Sequence, residues 1–167
     1  VPVSRATIPV DQRLIVALDV PSGAEARELV DTLGDSVGFY KVGLELFTGM
    51  DGFATVDWLS DNGKQVFVDL KFFDVPATVA RAVKQLRGRN ITFATVHGND
   101  AIMRAAAEAS DDVGILAVTV LTSLDSADMR DLGFDCDLPA LVQSRAERAV
   151  TLGCAGVVAS GEEAAVL

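Results

Sequence analysis

Six apolar runs of strand length punctuate the chain, and helical patterns lie between most of them. The runs are LIVALDV (14–20), GFYKVG (38–43), QVFVDL (65–70), ITFATVH (91–97), GILAVTVL (114–121) and AGVVAS (155–160). Each is rich in β-branched residues and nearly continuous rather than alternating, as strands buried on both faces tend to be. The stretch SGAEARELVDTLGD has Ser22 at an N-cap position, Glu25 three residues later and Gly34 near its end, which predicts a helix. ATVARAVKQLRG (77–88) and DAIMRAAAEAS (100–110) are amphipathic and made of good helix formers. LPALVQSRAERAVTLG predicts a helix that begins near Pro139 and stops at Gly153.

Strand–helix units of roughly 20 to 40 residues predict a parallel sheet with helices outside it. Two architectures fit, an open doubly wound sheet and a (β/α)8 TIM barrel. No G-x-G-x-x-G follows the first run, which weakens the dinucleotide-binding version of the open sheet. Polar residues at the C-terminal ends of the runs favour the barrel, because barrel sites form on that face. They are Asp19, Lys41, Asp69, Lys71, His97, Thr122 and Ser123.

The pattern supplies about six of the eight βα units, and the chain stops at EEAAVL where another helix would start. A barrel without its last units leaves strand edges open. Residues 1–167 are therefore expected to form a single α/β barrel domain, truncated at the C-terminal end of a longer chain. The N-terminal VPVSRATIPVDQR reads as a short irregular arm without the basic region and apolar core of a signal peptide. The missing initiator Met points to processing or to a remnant of cloning.

Half of the residues are apolar and 23% are charged, the balance of a globular domain with a core rather than a disordered chain. Against 14 Lys and Arg stand 24 Asp and Glu, a net charge of −10, which disfavours nucleic acid and anionic lipid as partners. No apolar run is long enough to cross a bilayer as a helix, so no membrane association is expected. Cys136 and Cys154 form no metal-ligand pattern and read as reduced cytoplasmic thiols. With His97 the only histidine, a zinc site of several His ligands is excluded.

The stretch DLKFFDVPAT (69–78) follows the apolar run VFV. Residues i and i+2 of a strand share a face, which predicts that Asp69 and Lys71 point the same way. Asp74 follows in the strand-to-helix connection, and Pro76 suits a first helical turn. One lysine can thus lie between two carboxylates, which favour its charged form. An exposed loop salt bridge would use the same residues. Charges converging at one end of a buried sheet are costly to assemble without a ligand, however, and Asp19 and Lys41 end two other strands.

These residues resemble the orotidine 5′-phosphate decarboxylase family. LIVALDVPS is similar to its first strand, YKVGLELF to its second and VFVDLKFFDVPATV to its D-x-K-x-x-D-[IV]-P-x-T segment. ATVHG, VTVLTS and GVVASGEE are similar to the ends of its fourth, fifth and sixth strands. The matches keep the family's order from about Leu14 to Glu163, and the third is the most specific.

The resemblance implies a (β/α)8 barrel that converts orotidine 5′-phosphate to uridine 5′-phosphate as a homodimer with shared active sites, without metal or cofactor. It implies that Asp19 and Lys41 hold the ribose hydroxyls and the charged network, that Asp69 sits beside the substrate carboxylate and that Lys71 donates the proton. Asp74 and Thr78 would reach into the partner subunit's site, lined by Val75. Thr122 and Ser123 would bind substrate, with Ser123 on the pyrimidine ring. His97 takes a structural or supporting role, and Phe72 and Phe73 pack. The family often has His where Phe73 stands, so no histidine role is carried there. The family's phosphate-binding arginine lies in the last two units, outside this pattern. A magnesium-dependent 3-keto-L-gulonate 6-phosphate decarboxylase shares D-x-K-x-x-D but has an acidic residue where Lys41 stands. The remaining alternative is an inactive barrel fragment.

Overall fold

The six apolar runs all become parallel strands, each shaped by the partner it finds. The computed structural model describes residues 8–161 and 163. Most of the expected N-terminal arm (1–7) and most of the chain's last residues (162 and 164–167) lie outside the described residues. The chain divides into two compact units, one running up to Asp69 with Arg89–Ile91, the other comprising Leu70–Gly88 and the chain from Thr92.

In the first unit, β1 (Val16–Ala17), β2 (Phe39–Gly43) and the start of β3 (Gln65–Phe72) pair in chain order. β1 is shorter than its apolar run because only Val16 and Ala17 are registered against β2, while Leu14 and Ile15 are exposed. Helix α1 (Gly23–Leu33) opens with the predicted cap, the Ser22 hydroxyl accepting from the Glu25 N–H at 3.2 Å. The 44–61 stretch carried no predicted helix, yet α2 (Leu44–Thr48) and α3 (Gly52–Asp61) form there. Its Thr, Val, Trp and Asp are modest helix formers, and tertiary burial of Val56 and Leu59 decides the outcome. Arg89 braces this helix by an ion pair with Asp57 at 2.6 Å and by lying 4.3 Å from the Phe53 ring centroid.

The second unit takes the end of β3 and then α4 (Pro76–Lys84), β4 (Ile91–His97) from Thr92 onward, α5 (Asp100–Ser110), β5 (Gly114–Val118), α6 (Ser126–Asp131), α7 (Leu138–Thr151) and β6 (Gly156–Val158). β4, β5 and β6 are parallel and in chain order. α4 packs on α5 through a face that buries Val79 and Val83, and α7 packs on β6. α6 was not predicted, although Asp125 and Asp128 form a reciprocal capping box that its D-x-x-D spacing carries. The two N–H bonds from Asp128 and Ala127 hold the Asp125 carboxyl below its ordinary pKa. Burial pushes the Cys154 thiol up to about 11, whereas Cys136 is exposed; both are free. Among the described residues no helix is long and apolar enough to cross a membrane.

β4 leaves the sheet through Gly98, whose N–H donates to the Val118 carbonyl at 2.9 Å. A Cβ at Gly98 would lie 2.7 Å from that oxygen and 3.3 Å from the Thr119 oxygen. Neither backbone atom can swing aside as a flexible side chain could. Gly98→Ala is expected to destabilise the protein by about 1–3 kcal/mol, read as a lower urea midpoint. An unchanged midpoint would show that this crossing yields without cost.

Candidate functional site

Register alone assembles a charged cluster in the first unit. Lys41 lies opposite Ala17 on one side and Phe67 on the other, and Gly43 lies opposite Asp69. Asp19 is two residues beyond Ala17, so Asp19, Gly43 and Asp69 follow at the strand ends. Lys41 shares a face with Gly43 and extends over it. Its Nζ reaches Asp19 Oδ1 at 3.4 Å and Asp69 Oδ2 at 3.6 Å. Gly43 leaves the space for this ammonium, since a Cβ there would come within 3.4 Å of Nζ and 3.6 Å of Asp19 Oδ1. A glycine two positions beyond Lys41, in the run KVG, is the local sign of this space.

Solvation grades the cluster. The Asp69 side chain is 12% exposed, Lys41 24% and Asp19 70%. Asp69 and Lys41 therefore form the stronger pair, while Asp19 keeps oxygens free for hydroxyl groups from solvent or a ligand.

The second unit carries the rest of DLKFFDVPAT. The alternation that predicts a shared face for Asp69 and Lys71 requires extended backbone, and Lys71 departs from it. Its φ is 48°, in the left-handed region, which costs a residue with a Cβ about 1–2 kcal/mol. The direction of its side chain is therefore set by this kink. The Lys71 N–H donates to the Thr95 hydroxyl at 2.8 Å, and Thr95 is fully buried in β4. Thr95 carries no distinguishing sequence signal, being one of two threonines in the apolar run ITFATVH (91–97).

Beyond the kink, the exposed Phe73 ring stacks on His97 with centroids 4.1 Å apart and planes 21° from parallel. His97 thus offers Phe73 a packing surface. Burial first, and the Arg145 guanidinium second, hold the His97 pKa below its ordinary value and favour the neutral ring. Among the described residues its buried Nδ1 has no hydrogen-bond partner. Arg145 donates to the Thr119 carbonyl at 2.6 Å.

Asp74 is exposed and accepts from the Val75 N–H at 2.6 Å. Val75 is the exposed residue before α4, Pro76 fills the first helical position as predicted, and Thr78 accepts from Arg81 at 3.1 Å. A cavity of about 380 Å³ is lined by Lys71, Phe72, Phe73, Asp74, Thr78 and Val79 among others. Thr122 lines a second cavity of about 320 Å³ with Val120, Leu138 and Ser160, and Ser123 lies exposed in the same turn. Among the described residues no three His, Cys, Asp or Glu side chains gather in a group that could hold a metal.

The chain resembles proteins of one family throughout. Residues 12–167 match the model of the orotidine 5′-phosphate decarboxylase / HUMPS family. An orotidine 5′-phosphate decarboxylase of Methylococcus capsulatus is 64% identical over 98% of this chain and 68% of its own length. One of Stenotrophomonas maltophilia is 50% identical over 96% of this chain and 68% of its own length. The crystal structure of orotidine 5′-phosphate decarboxylase from Lactobacillus acidophilus has a TM-score of 0.82 and 33% identity, covering 90% of this chain and 72% of that one. The fold class is accordingly a (β/α)8 barrel, represented here by six parallel strands with alternating helices.

Proposed function

Because the chain belongs to the orotidine 5′-phosphate decarboxylase / HUMPS family, we propose that it decarboxylates orotidine 5′-phosphate to uridine 5′-phosphate in pyrimidine biosynthesis, without metal or cofactor. The observation that carries this reading is the Lys41 ammonium between Asp19 and Asp69, at the ends of strands whose sequences match the family. A metal-dependent sugar-phosphate lyase would place an acidic residue at the Lys41 position, so the same cluster counts against it.

Breaking the bond between C6 and the carboxylate releases CO2 and leaves an electron pair on C6. That pair lies in the plane of the pyrimidine, where the ring carbonyls cannot delocalise it. A fixed cation stabilises the developing charge, and Lys71 supplies both the cation and the proton that C6 takes up. Asp69 beside the substrate carboxylate is a like-charge contact, worth about 4 kcal/mol at roughly 4 Å and an effective dielectric of about 20. Loss of CO2 relieves it. Contacts to the distant ribose and phosphate, including Asp19 and Lys41 on the hydroxyls, offset that cost on binding. Thr122 and Ser123 contribute to binding, with Ser123 on the ring.

The active form in this reading is a cytoplasmic homodimer, with Asp74, Val75 and Thr78 serving the partner subunit's site. The exposure of Asp74 and Val75 and the two free thiols support it. The acidic balance, −10 overall, supports a small-molecule substrate rather than nucleic acid or a membrane.

Mixed subunits test substrate and shared site together. Asp74→Ala and Lys71→Ala dimers should each fail to release CO2 from orotidine 5′-phosphate. Verified heterodimers of the two should recover up to about half of the wild-type rate, since one of two symmetric sites is intact. Inert heterodimers would refute the sharing of sites. A wild-type protein that leaves orotidine 5′-phosphate untouched would refute the substrate.

A further inference from the structure

We infer that Thr95 is a positioning residue for the reaction, acting through the backbone of Lys71; the inference rests on the assignment of Lys71 as proton donor. Three observations carry it. Lys71 holds a left-handed φ of 48°, which a residue with a side chain rarely adopts unless its surroundings impose it. The Thr95 hydroxyl accepts the Lys71 N–H at 2.8 Å from a position with no solvent exposure. Two residues further along β4, His97 packs on the ring of Phe73, two residues beyond Lys71.

Thr95 and His97 share a face of β4 and hold Lys71 and Phe73, alternate members of one segment. Thr95 fixes the backbone at the kink, and the His97 ring limits the swing of the chain beyond it. The acceptor that the Lys71 N–H finds here is a side-chain hydroxyl. The hydroxyl supplies an acceptor reaching beyond the backbone. The direction in which Lys71 leaves the chain, and so the place its Nζ can occupy, follows from this bond.

The discriminating variant is Thr95→Val, which keeps the branched shape and removes the acceptor. It is expected to lower kcat about 10- to 100-fold with KM within about twofold, since small misplacement of a reacting group affects the chemical step more than binding. Rates are taken per site, counted by titration with 6-azauridine monophosphate, so that loss of folded protein does not mimic the effect. Thr95→Ser, which retains the hydroxyl, should stay within about threefold of wild type.

Lys71→Ala is measured alongside. If it retains turnover, the assignment of Lys71 fails and the inference with it. If it is inactive while Thr95→Val keeps a normal kcat per site, only the positioning role is overturned. Equal losses in the Val and Ser variants would also overturn it, because they would trace the effect to packing.

Discussion

Lys71→Ala should lower decarboxylation of orotidine 5′-phosphate by about 10⁴-fold or more while leaving the fold in place. The size follows from its two proposed tasks. General-acid catalysis contributes about 10²–10⁴-fold, and removal of one fixed charge-stabilising group costs about 10²–10³-fold. The two overlap in a single ammonium, so the effects do not simply multiply. The fold should survive because Lys71 is exposed and its backbone bond to Thr95 does not use the side chain. Its urea midpoint should correspond to a stability change within about 1 kcal/mol of wild type. CO2 release at near-wild-type rate from a folded Lys71→Ala protein would remove the residue from the mechanism.

Lys41→Met should produce the second largest loss, and it should be felt in stability as well as rate. Lys41 sets its ammonium 3.4 Å from Asp19 and 3.6 Å from Asp69 at the first unit's strand ends. Methionine fills much of the same volume but leaves the 12%-exposed Asp69 facing Asp19 without that charge. A fall in kcat/KM of about 10²–10³-fold is expected, with a loss of about 1–3 kcal/mol in unfolding free energy. The stability term is kept below that of a fully buried pair because Asp19 is largely solvated. Adding Asp19→Asn should recover part of the stability but not the rate. If Lys41→Met matched wild type in both, the cluster would be a surface ion pair and nothing more.

Much of the architecture was legible from local signals. Apolar runs located all six strands, and the Ser22–Glu25 cap, the Pro76 start of α4 and the Gly153 stop of α7 appear as expected. These features depend on residues within a turn or two of each other. The 44–61 region was not legible because its helices rest on the burial of Val56 and Leu59 rather than on propensity. The ends of β1 and β5 were also misplaced. A strand ends where its partner's ladder ends, and Leu121 is apolar yet exposed beyond that limit.

For the proposed site, the sequence by itself supplied the candidates and their order: Asp19, Lys41, Asp69 and Lys71 toward strand ends, Asp74 in the connection after β3 and Thr78 in α4. Residue chemistry and spacing travel with the chain, so that much needs no coordinates. Only the tertiary structure decided how the members are arranged. Parallel register brought Lys41 over Gly43 to Asp19 and Asp69, across separations of 22 and 28 residues in the chain. A hydroxyl on a neighbouring strand, Thr95, bonds Lys71 at a kink that the two-residue alternation does not anticipate. Alternation is a rule for extended backbone, and a left-handed residue held by a distant side chain lies outside what any local pattern encodes.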